Sequence, residues 1–149
     1  MPFPVGLLFV LLLIPVGRPN NGDPHIQWRF SSIEQPGSEW KLVFTATIDR
    51  GWHLYSQSLE DGGPMPTEFT FEEMQGCRLL GKVVESGDAR KEYDSTFMVN
   101  VVWYEGQVVF TQRVRAGTKM DVKGEIKYSV CSEDVCVPGS VRFSLAVGK

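Results

Sequence analysis

From Asp23 onward the apolar residues recur at every second position, a period that marks half-buried strands and leaves no amphipathic helix. Ile26, Trp28 and Phe30 alternate with polar neighbours, and Trp40, Leu42, Phe44, Ala46 and Ile48 repeat the alternation across Glu39 to Asp49. The same pattern predicts strands at Trp52 to Gln57, Glu68 to Glu72, Arg78 to Glu85, Phe97 to Trp103, Gln107 to Arg113, Glu125 to Val130 and Val141 to Val147, nine in all. Between them stand turn formers: Gln35-Pro-Gly-Ser, Asp49-Arg-Gly, Asp61-Gly-Gly-Pro, Glu105-Gly, Arg115-Ala-Gly-Thr and Pro138-Gly. Short strands at a spacing of about 8–12 residues predict an all-β fold, an immunoglobulin-like antiparallel β-sandwich, with a closed barrel as the alternative.

One stretch breaks the alternation. Val5 to Val16 is an apolar run interrupted only by Gly6 and Pro15. It is short of the roughly 20 residues that span a bilayer, and reads as the core of a secretory signal peptide. The expected division is a signal peptide over residues 1–22, cleaved between Val16 and Gly22, and one domain over 23–149. An uncleaved membrane anchor is the alternative. Export places the domain where disulfides form. The remaining length buries a core without help from a bridge or a metal. With 15 Lys and Arg against 18 Asp and Glu, no basic cluster is available for a polyanion, which excludes nucleic acid as the expected partner.

Three cysteines and two histidines carry the candidate chemistry. Cys131 and Cys136 lie in Tyr128-Ser-Val-Cys-Ser-Glu-Asp-Val-Cys-Val-Pro-Gly, where one strand runs in and another runs out, so the intervening residues form a hairpin loop. Facing residues of an antiparallel pair are close enough to bridge. As a staple such a bridge does little, since closing so short a loop removes only about 2 kcal/mol of chain entropy. A redox-active dithiol, a structural bridge and a metal site are the three readings. The last is short of ligands, because only Cys77, His25 and His53 remain, without ligand spacing. Glu133 and Asp134 between the sulfurs disfavour a thiolate, so the pair is expected to exchange with an activated thiolate on a partner.

These residues resemble the amino-terminal domain of the bacterial thiol:disulfide interchange protein DsbD. The matching stretches are Asp49-Arg-Gly-Trp-His-Leu-Tyr-Ser-Gln, Gly62-Gly-Pro-Met-Pro-Thr, Gly81-Lys-Val, Lys91-Glu-Tyr-Asp-Ser-Thr-Phe and Val130-Cys-Ser-Glu-Asp-Val-Cys-Val-Pro. The resemblance implies a periplasmic immunoglobulin-like domain of the cytochrome c biogenesis and electron-transfer kind. It would take reducing equivalents from a thioredoxin-like donor and pass them to periplasmic disulfide proteins of thioredoxin fold, without a bound cofactor. The family's cysteines fall on Cys131 and Cys136, with Cys136 attacking and Cys131 resolving. Its cap loop falls on Lys91-Glu-Tyr-Asp, which makes Tyr93 the shield, with Glu92 and Asp94 beside it. Full-length members continue into a polytopic membrane electron transporter and a thioredoxin-like domain. For a chain ending at Lys149, electrons would arrive in trans, or the sequence is part of a longer product. Gly139 stands where a second proline is common in the family.

Outside the pair, Trp52, His53 and Tyr55 form an aromatic cluster, of which His53 and Tyr55 are candidates to line the sulfur site. A histidine there would be the group able to promote a thiolate near neutral pH. Trp28, Trp40 and Trp103 are expected in the core, and Cys77 is expected to pack as a small hydrophobe. No hydrolase motif or phosphate loop is present. The alternative function is a non-catalytic immunoglobulin-like binding module with a structural hairpin disulfide.

Overall fold

The computed structural model describes residues 23–149, so the expected signal peptide lies outside the described residues. Eight strands follow one another: β1 Ile26–Gln35, β2 Glu39–Ile48, β3 His53–Tyr55, β4 Glu68–Phe71, β5 Cys77–Asp94, β6 Val99–Ala116, β7 Met120–Cys131 and β8 Cys136–Val147. All pairings are antiparallel. One layer is built on the β2–β6 ladder, with β1 on the outer edge of β2 and β5 on the outer edge of β6. The other is built on β7, which pairs with β8 along its length and with β4 on its opposite edge. Short β3 laces the layers together, His53 and Leu54 pairing with β7, Leu54 and Tyr55 with β6.

The alternation read from the sequence is what the layers bury between them. Phe44 of β2 meets Phe69 and Phe71 of β4 and Phe143 of β8 edge-on, with ring centroids 4.8–6.5 Å apart. Trp28 of β1 sits 5.5 Å from the ring of Tyr128 on β7 and 5.9 Å from that of Phe110 on β6. Each such side chain taken out of water contributes on the order of 1.5–3 kcal/mol, and edge-to-face pairing adds to it. The expected sandwich is therefore present. No ladder joins β1 to β8; their edges meet through Ser32 Oγ, which donates to the Ala146 carbonyl at 2.6 Å, and through the edge-on rings of Phe30 and Phe143 at 6.0 Å, with a Lys149–Glu34 ion pair just beyond β8.

Two expectations about the strands are corrected. The predicted strands at Phe97 to Trp103 and Gln107 to Arg113 are one, because Glu105-Gly106 is a kink rather than a turn. Here β6 leaves β2, its partner as far as Gln107, and takes up β3 at Tyr104 and Trp103, with Gly106 at φ 69° supplying the left-handed residue. The strand predicted at Arg78 to Glu85 runs on to Asp94. Its pairing with β6 survives two irregularities, at Leu80/Val84 and Gly87/Ala89. The Lys91-Glu-Tyr-Asp stretch is thus the end of a strand, and the β5–β6 hairpin carries it past the end of β7 where the cysteines lie.

Candidate functional site

Cys131 and Cys136 are directly opposite residues at the loop end of the β7–β8 hairpin and are joined as a disulfide, with Cα atoms 4.0 Å apart. The four residues between them are held by Ser132, whose Oγ accepts from the backbone N–H of Asp134 (3.2 Å) and Val135 (3.3 Å) while its own N–H donates to the Val135 carbonyl (2.8 Å). The two sulfurs are not equivalent. Cys131 is only 1% exposed, packed with Tyr55 and Val101, and its Sγ lies 3.6 Å from Ser129 Oγ; Cys136 is exposed.

The register of this hairpin explains Gly139. It lies opposite Tyr128, whose buried ring covers the glycine so closely that a Cβ there would come within 2.5 Å of Cζ. A second proline has no room at this position. The hairpin also approaches β3: His53 is the direct partner of Cys131 in the β3–β7 ladder. Directly opposed residues of an antiparallel pair point to the same face with Cβ atoms about 4.5–5.5 Å apart.

Around the disulfide lies a cavity of about 750 Å³. Its walls bring together Cys131, Cys136, His53, Tyr55, Glu92 and Asp94, all of them expected from the sequence, and add Trp103, Glu105 and Phe97, which were not. Five carboxylates line it, from Glu92, Asp94, Glu105, Glu133 and Asp134, with no lysine or arginine among the lining residues. Trp103 is here rather than in the main core. Its indole N–H donates to the Glu92 carboxylate (3.2 Å), and its ring lies 4.7 Å from that of His53. Trp52 lies elsewhere, stacked on His25 at 3.7 Å.

Tyr93 does not line the cavity. At 61% exposed it points to the other face of β5, because Glu92 and Asp94 point inward and strand neighbours alternate. The ring that the tip of the β5–β6 hairpin contributes to the lining is that of Phe97. Asp94 builds this tip, its Oδ1 accepting from the N–H of Thr96 (2.8 Å) and Phe97 (3.2 Å) and its carbonyl from that of Met98 (2.7 Å), which takes up φ 59°. The base of the tip is tied down by Glu60, which accepts from the backbone N–H (3.2 Å) and side-chain amide (3.1 Å) of Asn100.

Burial shapes the titrating groups. It pulls the imidazole of His53 below its ordinary value, against the pull of Glu105 and Glu92 in the other direction. It pushes the Tyr55 phenol up, with Asp94 and Glu92 adding to the effect. Cys77, half-buried against the core, has its thiol pushed up by burial, which suits a packing role. Among the described residues no group of three or more His, Cys, Asp or Glu is placed to hold a metal ion, and no helix is long and apolar enough to cross a membrane.

Comparison with protein families finds a match over residues 23–148 to the family described as thiol:disulfide interchange protein DsbD, N-terminal. Among solved structures the chain is similar to the N-terminal periplasmic domain of ScsB from Proteus mirabilis, with 18% identity and a TM-score of 0.60, covering 85% of this chain and 47% of that one. It is similar to the N-terminal domain of Neisseria meningitidis DsbD in the reduced form, with 16% identity and a TM-score of 0.52, covering 80% and 86%. The GAE domain of yeast GGA1 follows at 12% identity and a TM-score of 0.50, covering 85% and 96%. At these identities the likeness is one of fold. The chain spans about half the length of the ScsB chain it matches (47%). Curated protein sequences give no match.

Proposed function

Because the chain belongs to the family of the N-terminal domain of the thiol:disulfide interchange protein DsbD, we propose that it is a periplasmic thiol-disulfide exchange domain working through Cys131 and Cys136. It takes reducing equivalents from a thioredoxin-like donor, itself fed by a polytopic membrane electron transporter, and passes them to periplasmic disulfide proteins of thioredoxin fold. The observation that carries this reading is the unequal exposure of two bonded sulfurs at the mouth of a cavity. Cys136 meets a partner, and Cys131, buried behind it, resolves the mixed disulfide. The carboxylates around the pair keep either thiol from ionising readily, so the activated thiolate belongs to the partner.

The β5–β6 tip is the cap. Phe97 stands on the cavity side, Asp94 fixes the tip, and Glu92 and Asp94 acidify the wall. Tyr93, on the outer face, is offered to whatever docks. Covering an exchangeable disulfide in an oxidising compartment limits reaction to partners able to displace the cover. Two measurements test the reading. Redox equilibration with glutathione should place the pair well above about −300 mV, the range of structural bridges. A Cys131→Ser variant should accumulate a mixed disulfide through Cys136 with a thioredoxin-fold protein. A potential below that range with no trapped complex would leave the binding-module reading, in which the bridge only stiffens the hairpin.

A further inference from the structure

We infer that His53 is the proton acceptor for Cys131, taking the thiol proton as Cys131 closes onto Cys136 and expels the partner from a mixed disulfide. The inference rests on the exchange reading above. In the step, Cys131 attacks Sγ of Cys136 and the Cys131–Cys136 bond forms. The bond from Cys136 to the partner sulfur breaks, and the partner leaves as a thiolate with the electron pair. The Cys131 proton passes to the imidazole and from there to water or to the departing thiolate. The chain's dithiol is oxidised and the partner's disulfide reduced.

Three observations place His53 in this role. It is the residue directly opposite Cys131 across the β3–β7 ladder, and both side chains line the same cavity. Its ring is held rather than free, edge-on to Tyr55 at 5.1 Å and against Trp103 at 4.7 Å. It is also the one histidine among the lining residues; the other, His25, is stacked on Trp52, pairs with Asp49 at 3.6 Å and lies outside the lining.

The surroundings make the acceptor useful. The cavity that Cys131 shares with five carboxylates opposes a bare thiolate, so losing its proton to a neutral base avoids adding a further negative charge there. The groups facing His53 are Tyr55 on its own strand, Glu92 and Asp94 from β5, Glu105 from β6, and Cys131, Glu133 and Asp134 from β7 and its loop. Glu105 shares its charge with Arg90 at 3.9 Å, and Glu92 is held by the Trp103 indole. Burial keeps the imidazole neutral and ready to accept at pH 7, and Glu105 and Glu92 favour the imidazolium that forms.

The test follows the reduced full-length chain in two arms, with glutathione disulfide and with oxidised protein disulfide isomerase, a thioredoxin-fold acceptor of higher potential, each between pH 5 and 9. Closure of the Cys136–glutathione mixed disulfide reads His53 without any protein partner. For the native chain the closure rate should rise through the histidine range and level off by about pH 7. In His53→Gln it should fall about tenfold or more at pH 7. The variant's rate should then keep climbing with pH above 7 as the thiol itself begins to ionise, and the gap between the two rates should narrow toward pH 9. His53→Tyr keeps an aromatic ring against Tyr55 and Trp103 but has no base near neutral pH, and it should behave like His53→Gln. Equal pH profiles, or a uniform slowing at every pH, would overturn the inference. A native chain that shows the histidine-dependent closure with glutathione but never reduces protein disulfide isomerase would support His53 and refute the exchange reading instead.

Discussion

Gly139→Ala adds one methyl group at a place where the sandwich has no room for it. A Cβ at this position would lie 2.5 Å from Cζ, 2.6 Å from the hydroxyl and 2.7 Å from Cε2 of Tyr128. The ring cannot swing aside, because Tyr128 is fully buried and lies 5.5 Å from the ring of Trp28. Either β8 moves off β7 or the ring presses into the core. Overpacking of this kind costs about 1–3 kcal/mol. For a domain of roughly 125 residues, an unfolding entropy of about 2.1 cal/mol/K per residue makes each kcal/mol worth about 4 °C, so Tm should fall by roughly 4–11 °C. Thermal unfolding of the oxidised and reduced forms gives the answer, and both should fall together, since the clash lies in the strand register and not in the bridge. Gly117→Ala is the control. Nothing lies within 4 Å of its added methyl group, and its stability should hold or rise by up to about 1 kcal/mol through the unfolded chain. A Gly139→Ala protein melting within about 2 °C of the native one would refute the close approach.

Two further expectations concern the site's cover and the far end of the sandwich. Asp94→Ala removes the acceptor that shapes the hairpin tip; losing about 1 kcal/mol from the closed tip raises its open population about fivefold, and reduction of the disulfide by dithiothreitol should quicken by that factor. Asp94→Asn removes the same charge but keeps the acceptor, so an equal acceleration there would refute the cap and point to charge alone. At the other end, Arg113 and Arg115 hold the Glu39 carboxyl below the usual carboxylate range, through hydrogen bonds of 2.6 and 2.8 Å. A carboxyl held low when folded stabilises above its unfolded pKa and loses that contribution as pH falls through the folded one. Glu39→Gln should therefore flatten the acid limb of a Tm-against-pH curve, and an unchanged limb would show that the pair contributes nothing.

How much of this was legible in the sequence differs by kind of feature. The two-residue alternation located the inward faces of β1 and β2, with Ile26 and Trp28 on the one and Leu42, Phe44, Ala46 and Ile48 on the other, because burial on one side of a sheet is written locally. The Cys131–Cys136 opposition was equally local, fixed by a four-residue loop between two strands. Glu105-Gly106 was misread for a physical reason: a glycine at a kink and a glycine in a turn have the same local chemistry. What separates them is whether the next strand returns to a new neighbour or continues along a second one, and that depends on β3, far away in sequence.

The cap shows the same limit more sharply, and it decides which ring faces the sulfurs. A motif match assigns Lys91-Glu-Tyr-Asp a place near the site but says nothing of side-chain direction. Direction is a matter of parity, and parity is set by where β5 begins to pair with β6 and by the irregularities at Leu80/Val84 and Gly87/Ala89, each of which shifts the register along the strand. With that count Glu92 and Asp94 turn inward, Tyr93 turns outward, and the first aromatic able to face the cavity is Phe97, just beyond the turn that Asp94 builds. The neighbouring carboxylates then gain a reason to be there that the motif alone did not supply. Glu92 is fixed by Trp103 and faces His53, and Asp94 sets the tip. The wall that makes a thiolate costly is thus the same wall that would hold the imidazolium in place, which is why removing His53 and removing Asp94 should be felt differently. The first changes how the rate depends on pH, the second how often the site is open.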